Sequence, residues 1–269
     1  MTQHVSVGSM SVAFLQFSET VRSHDQLLDL FPSMSPELAA DLADRFADGY
    51  RWSFNGVLVR TAEALVLVDT GFAFRNAATG TPTEALLEQA GCDSESITTI
   101  VLTHGHGDHV GGLLHDGAPA FPDAELVATE EELAFWKGQP SSPAARAFSA
   151  YEDQTRAITM DELIHQDDAG TIQAVPAPGH TPGHIALRLE SGSQSLHLLA
   201  DTMHATFQLD DLSLSPRFDV DGDTAAETRR ALVGELAGTA AQVALFHYPF
   251  PGIGRINRSE AGGYRWRPE

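Results

Sequence analysis

Apolar runs that stop abruptly on a polar side chain recur along this chain. Val5 to Phe17 alternates loosely between β-branched or aromatic and polar positions, and predicts a first strand. Residues 18–34 are polar and irregular. Ser35-Pro36 opens a helix, with serine at the cap, proline in the first turn, Leu38, Leu42 and Phe46 on one stripe, and Gly49 at the stop. Phe54 to Arg60 and Ala64 to Asp69 predict two strands about a Thr61-Ala62-Glu63 turn. Thr81-Pro82-Thr83-Glu84 reads as a capping box that starts a helix to Ala90. Ile97 to Leu102 and Ala124 to Ala128 are strands. Thr129 caps a helix to Trp136, and Ser142-Pro143 starts a longer one to about Met160. Thr171 to Val175, His184 to Leu189 and Leu196 to Ala200 are strands. Thr224-Ala225-Ala226-Glu227 is a second capping box, opening a helix to about Ala237. Ala240 to Phe246 is the last strand, and the tail from Gly252 is polar and irregular. Each half runs strands and then helices, which predicts an α/β two-layer sheet sandwich flanked by helices. No low-complexity segment or long linker interrupts it.

The polar residues at the strand ends are not ordinary loop residues. Thr103-His104-Gly105-His106-Gly107-Asp108-His109 follows the Ile97 strand and packs three imidazoles and a carboxylate into six positions. Such residues are exposed or paired, not fillers, and imidazole with carboxylate suits zinc, manganese or iron. In extended chain residues i and i+2 point the same way, so His104 and His106 can share one metal. Gly105 and Gly107 let the backbone turn, which displaces Asp108 and His109 toward a second. A His-rich polar loop without metal is the bland alternative.

Three later segments repeat the theme. Pro178-Gly179-His180-Thr181-Pro182-Gly183-His184 is a tight loop between strands, with His180 the ligand candidate and His184 a supporting residue. Leu198-Leu199-Ala200-Asp201 delivers one acid at a strand end, and Leu245-Phe246-His247 delivers a histidine. The seven side chains suit two metals sharing one carboxylate: His104, His106 and His180 on the first, Asp108, His109 and His247 on the second, and Asp201 bridging.

The composition bounds the partners. With 269 residues and 42% apolar content the chain has ample core for one large domain or two small ones. A net charge of -21 argues against nucleic acid and anionic membrane surfaces. Cys92 is the single cysteine, so no disulfide forms within the chain. No apolar run approaches the roughly 18 residues of a membrane span. No basic side chain precedes Arg22, so the start lacks the positive region of a secretory signal. A cytoplasmic location is the default expectation.

The ordered set Thr-His-X-His-X-Asp-His, Gly-His-Thr-X-Gly-His, Ala-Asp and a late His resembles the metallo-β-lactamase-fold hydrolases, from Phe54 to about Phe250. Val68-Asp69-Thr70-Gly71 looks like that family's early strand-end motif, in which the acid supports the metal loops. The resemblance implies a four-layer αββα sandwich of two mixed sheets over residues 1–269, carrying an N-terminal helical insert at 18–50. It also implies a site at one edge between the sheets, and zinc in most hydrolytic members. Ala200-Asp201-Thr202-Met203-His204 and His247-Tyr248-Pro249-Phe250-Pro251-Gly252-Ile253-Gly254 look like the methyl parathion hydrolase and N-acyl-homoserine lactonase branch. True β-lactamases with the same His motif lack the bridging Asp, and flavodiiron proteins have an acid where His106 stands. The lactonases place a tyrosine a few residues past that Asp; here His204 takes the place, which moves the reading toward the parathion-hydrolase-like subgroup.

The expected activity is hydrolysis of an ester, lactone or phosphotriester by hydroxide held between two Zn²⁺ ions, with Mn²⁺, Fe²⁺ or Co²⁺ as substitutes. Asp108 would carry a proton to the leaving group and His204 would hydrogen-bond a substrate oxygen, with Tyr248 a second candidate. Trp52, Phe72, Phe74, Phe207 and Phe250 are candidates for an apolar pocket, at least half of them being core. The expected partner is a neutral, partly apolar small molecule, and a homodimer through the 18–50 insert is a further expectation. The rivals are a regulatory or binding protein on the same fold, a glyoxalase II-like thioester hydrolase, and a mononuclear iron enzyme acting on thiols.

Overall fold

A computed structural model describes residues 1–75, 80–259 and 262–269. The chain begins with β1 (Thr2–Val7), β2 (Met10–Arg22), α1 (His24–Leu30), α2 (Pro36–Arg45), β3 (Tyr50–Arg60), β4 (Leu65–Val68) and α3 (Thr83–Gln89). It continues through β5 (Thr99–Val101), α4 (Gly107–Val110), the small pair β6 (Leu114–His115) and β7 (Ala118–Pro119), β8 (Glu125–Thr129), α5 (Glu130–Lys137), α6 (Pro143–Ala150) and β9 (Thr155–Ile158). The second half is β10 (Leu163–Asp167), β11 (Gly170–Pro176), β12 (Ile185–Ser191), β13 (Gln194–Ala200), α7 (Gly222–Leu236), β14 (Gln242–Leu245), β15 (Ile253–Arg258) and β16 (Tyr264–Pro268).

Two seven-stranded sheets result, ordered β1-β2-β3-β4-β5-β8-β9 and β10-β11-β12-β13-β14-β15-β16. Both are mixed. Strands β4, β5, β8 and β9 run parallel, as do β13 and β14, and the other pairs are antiparallel. Side-chain alternation shows the layering. Val66 and Val68 face the inter-sheet core with Leu187, Leu198 and Phe246, while Leu65 and Leu67 face a second cluster with Leu86, Leu87 and Ala147 of α3 and α6. On the other sheet Leu198 and Ala244 point inward, and Leu199 and Val243 point out onto Leu232 and Val233 of α7. Strands covered on both faces read as unbroken apolar runs, and the layers are helix, sheet, sheet, helix, as expected.

The structure also corrects several element boundaries. Val5 to Phe17 is not one strand but parts of a hairpin, turned at Gly8 with φ +55°, which pairs Val7 with Met10. Residues 18–34 are not irregular: β2 pairs with β3 as far as Arg22, and Ser23 and Gln26 form a reciprocal capping box on α1. The helix from Ser142 ends at Ala150, because Thr155–Ile158 pairs with β8 instead. The Thr81 box does not form; α3 starts after Pro82 without a side-chain cap. The Thr224 box gives way to Asp221, whose carboxylate accepts the Thr224 N–H at 3.0 Å. The polar tail is a hairpin, β15 with β16, because pairing to β14 supplies its partner. Strand β10 has no counterpart in the sequence reading. The segment at 18–50 packs Leu27, Phe31 and Leu42 on Tyr50, Trp52 and Phe207, so it backs one wall of the site described next.

Candidate metal centre

Four strand ends and one loop deliver the chemistry. Asp69 lies just past β4 in the left-handed region, φ 59°, a conformation aspartate tolerates better than most residues. Its buried carboxylate accepts Thr103 N–H at 2.9 Å and Thr103 Oγ1–H at 2.7 Å, which fixes the turn after β5. It also accepts His109 Nδ1–H at 2.7 Å. With Nδ1 committed there, His109 Nε2 is the atom left to face a cation, and this buried atom has no hydrogen-bond partner.

Three imidazole nitrogens meet in a triangle beside it. His104 Nε2 and His106 Nδ1 are 3.0 Å apart, His106 Nδ1 and His180 Nε2 2.9 Å, and His180 Nε2 and His104 Nε2 3.1 Å. The far nitrogen of His180 donates to Asp219 Oδ1 at 2.8 Å, which turns its Nε2 lone pair inward. Asp108 Oδ2 lies 3.6 Å from both His109 Nε2 and His247 Nε2, and His247 Nδ1–H donates to Ser53 O at 2.9 Å. Asp201 Oδ2 sits between the sets, 3.0 Å from His247, 3.3 Å from His180, 3.5 Å from His109 and 3.8 Å from His104. Its Oδ1 is buried without a partner.

Converging acceptor nitrogens cannot satisfy one another, but a cation can satisfy them all. Donor atoms of a tetrahedral zinc site stand about 3.3 Å apart for Zn–N bonds of about 2.0–2.1 Å. The triangle His104–His106–His180 and the set Asp108–His109–His247 both have their donor atoms within 4.8 Å of one another, as does His104–His109–Asp201. The donor chemistry, the spacing and the orphaned atoms fit two divalent cations.

Charge is balanced accordingly. Burial holds His104 and His180 well below the usual imidazole range, and His106 below it. Burial also pushes His109 down, but Asp201, Asp108 and Asp69 together push it well above that range. His247 is raised by Asp201 against the same burial. Asp201, despite complete burial, is held well below the carboxylate range by His247 and His109.

The profile of the Metallo-beta-lactamase superfamily matches residues 51–241, a span that contains all the strand ends above but the last. The chain belongs to the metallo-beta-lactamase superfamily. A probable metallo-hydrolase of Mycobacterium bovis is 29% identical over 190 residues, 57% of this chain and 58% of that protein. The chain thus spans somewhat over half the length of that curated relative. A hydroxyacylglutathione hydrolase of Cupriavidus taiwanensis is 28% identical over 163 residues, covering 60% of this chain and 51% of the relative. Among solved structures, AidC, a dizinc quorum-quenching lactonase in complex with a product, is 26% identical with a TM-score of 0.87, covering 100% of this chain and 97% of its own. The hydrolase AbOPH is 23% identical with a TM-score of 0.86 over 100% and 97%, and so shares the fold.

All seven residues singled out in the sequence therefore come together in this superfamily member. His204 joins them: it is buried, with Nε2 3.2 Å from Asp201 Oδ2, and lies between Trp52 and Phe218. His184 supports from behind, its Nδ1 2.7 Å from Ala177 O and its Nε2 accepting Asp201 N–H at 3.3 Å. Tyr248 does not face the centre; its ring packs on Trp266 and its hydroxyl on Met203 Sδ, within the core under α7. Phe74, Phe207 and Trp52 are buried in core clusters, although Trp52 also lies 5.5 Å from His247; Phe72 lies against Phe54 and Phe250 packs on the inter-sheet core.

Five supporting residues escaped the sequence reading. Phe54 stands edge-on to His247 at 5.1 Å, and Phe218 lies 4.7 Å from His204. Asp219 orients His180, with Arg229 behind it. Glu132, buried on α5, accepts Gly105 N–H at 2.8 Å, Trp136 Nε1–H at 2.5 Å, Thr181 Oγ1–H at 2.7 Å and Gly183 N–H at 3.2 Å. It ties the loop of His104 and His106 to the loop of His180. The glycines of the first loop also have different roles from those expected. A Cβ on Gly105 would sit 2.3 Å from Trp136 Nε1, so close approach is what requires it; Gly107 faces open space.

Proposed function

We propose that this chain is a metal-dependent hydrolase that holds two divalent cations, zinc first, and cleaves an ester, lactone or phosphotriester bond. His104, His106 and His180 hold one cation, Asp108, His109 and His247 the other, and Asp201 bridges them. Two such cations supply Lewis acidity and lower the pKa of water to about 7, giving a nucleophile at neutral pH. One observation carries the reading: five imidazole nitrogens surround a single buried oxygen, Asp201 Oδ2, at 3.0–3.8 Å.

The chain's own residues then do three things. Asp108 and Asp201 contribute only two negative charges against four positive ones, so the pocket favours an anionic transition state. Asp108, the most exposed of the acids at 21%, would take a proton toward the leaving group. His204 stands beside the bridging acid to hold a substrate oxygen. Phe54, Phe72 and Phe218, all partly exposed, give the mouth an apolar rim. Among the described residues no lysine or arginine pairs with the seven ligands, which suits a neutral substrate. The likeness to AidC over the whole chain makes acyl lactones the first compounds to try.

The test is elemental analysis with a panel of p-nitrophenyl esters, acyl lactones and paraoxon, before and after chelation. We expect about two cations per chain and hydrolysis that is lost on chelation and restored by Zn²⁺. His106→Ala and Asp201→Ala should each lower it at least about 100-fold with the fold kept. Hydrolysis at the native rate by the stripped protein would falsify the proposal.

A further inference from the structure

Two charged side chains behind the centre have no part in that reaction. Arg229, on α7, is fully buried. Its Nε–H donates to Thr202 O at 2.9 Å and its Nη1–H to Leu212 O at 2.8 Å. Its Nη2 lies 3.5 Å from Asp219 Oδ2. The other oxygen of Asp219 accepts the His180 Nδ1 proton at 2.8 Å. Burying a guanidinium is expensive unless its partners are good, and a leucine or methionine would fill this face of α7 without that cost. A positional role accounts for the charge.

The geometry points to what it positions. Thr202 follows Asp201 directly, so Arg229 grips the turn that carries the bridging acid. Through Asp219 it also reaches His180, and His180 Nε2 and Asp201 Oδ2 stand 3.3 Å apart. Helix α7 and the two residues before it hold the His180 loop by other contacts: Thr228 Oγ1–H donates to Pro178 O at 2.7 Å, Asp221 N–H to Gly179 O at 2.9 Å and Val220 N–H to His180 O at 3.0 Å. Gly179, at φ +121°, lets the loop lie against α7, since a Cβ there would meet Ala225 N at 2.2 Å.

We propose that Arg229 and Asp219 are a positioning pair that sets the cation affinity of the His104–His106–His180 set while leaving the Asp108–His109–His247 set to Asp69 and Ser53. The inference rests on the two-cation reading above. Asp219 keeps the His180 proton on Nδ1, so that Nε2 stays an acceptor. Arg229, in ion-pair contact at 3.5 Å, keeps Asp219 facing His180. In Asp219→Asn the amide NH₂ is repelled by the guanidinium and swings toward His180, which then keeps its proton on Nε2, the wrong tautomer for a ligand. A histidine partner lost in this way weakens metal binding about 10–100-fold.

The experiment is a calorimetric Zn²⁺ titration of the chelator-stripped full chain, with Co²⁺ absorption spectra, for the native protein, Asp219→Asn, Arg229→Met and the double variant. The expected result is one of two binding steps weakened about 10–100-fold, the other unchanged, an altered Co²⁺ spectrum, and a double variant no worse than the worse single. Arg229→Lys, which keeps the charge but not both carbonyl contacts, should fall between. Two unchanged steps in folded variants overturn the inference, and so do two steps weakened equally, which is what general loosening gives. If Arg229→Met does not fold, the near-isosteric Asp219→Asn carries the test. A native protein that takes up fewer than two cations sinks the two-cation reading itself, which is a separate result.

Discussion

Replacing Glu132 by alanine removes the shared acceptor of four buried donors. Oε1 takes Gly105 N–H and Trp136 Nε1–H, and Oε2 takes Thr181 Oγ1–H and Gly183 N–H. A buried donor left without a partner costs about 1–3 kcal/mol, so four cost about 4 kcal/mol at the low end. Water entering the vacated space and relief of the buried carboxylate, whose pKa burial pushes up, recover part of this. The net expectation is a loss of about 3–5 kcal/mol. Glu132→Gln is the sharper comparison. With its carbonyl on the Gly105 and Trp136 side, its NH₂ faces Thr181 Oγ1, which rotates to accept, and Gly183 N–H, which cannot. One donor and the charge assistance are lost, for about 2 kcal/mol. At about 2–4 °C per kcal/mol in a chain of this size, the glutamine variant should melt about 4–8 °C low. Urea unfolding of the chelator-stripped chain reads both numbers, and a zinc titration should show the His104–His106–His180 step weakened. An alanine variant within about 1 kcal/mol of native, or a glutamine variant as unstable as alanine, refutes the clamp.

Other outcomes follow from the same geometry. His104, His106, His180, His184 and His204 have folded-state pKa values below the unfolded one. Their share of stability is present above about pH 6.5 and lost as pH falls. His109 and His247 are shifted up and act oppositely, losing their share as pH rises through the raised values. His197 is lowered by burial as well, so six groups stand against two and the metal-free protein should lose stability on acidification below about pH 6.5, as followed by thermal melts. His109 and His247, both shifted up, must be deprotonated to bind, so zinc uptake should release protons, and more of them as pH falls, measured calorimetrically in buffers of different ionisation enthalpy. Gly183→Ala should cost about 3 kcal/mol, since its Cβ would meet Glu132 N at 2.3 Å, while Gly107→Ala, facing open space, should stay within about 1 kcal/mol of native in the same urea assay.

The fold class and the seven converging side chains of the candidate site were legible because they are written locally. A strand buried on both faces leaves an unbroken apolar run, and a ligand at its end breaks that run with a histidine or an acid. What was not legible depends on partners far away in the chain. Thr155–Ile158 continues a helical pattern until β8 offers it a ladder. Tyr264–Pro268 is polar on its own and becomes a strand because β15 lies beside it. Glu132 looked like one of three first-turn acids of α5, and only tertiary contact singles it out. Asp219 and Arg229 sit in a loop and on a helix with no motif, and their partners lie 39 and 27 positions away. Gly105 was legible as glycine but not for its reason, because Trp136 approaches from another element.

The placement of the centre follows from strand direction. Strands β4, β5 and β8 are parallel, so Asp69, His104 and Thr129 emerge together past their carboxyl ends. Strands β13 and β14 are parallel too, and bring Asp201 and His247 out side by side. Ligand sites of α/β sheets lie at such carboxyl ends because the loops there are free to vary while the strands hold their spacing. Here two sheets contribute, and they meet through side chains: His247 reaches Ser53 of β3, and Asp201 stands against His104 and His109. The left-handed residues at two of these ends, Asp69 with φ 59° and Ala200 with φ 45°, lie where each run stops and the polar group turns into the site. Strain of this kind persists only where surrounding structure over-determines it. Around Asp69 that structure is the set of bonds from Thr103 and His109, so the residue that supports the cage is held in place by the loop it supports.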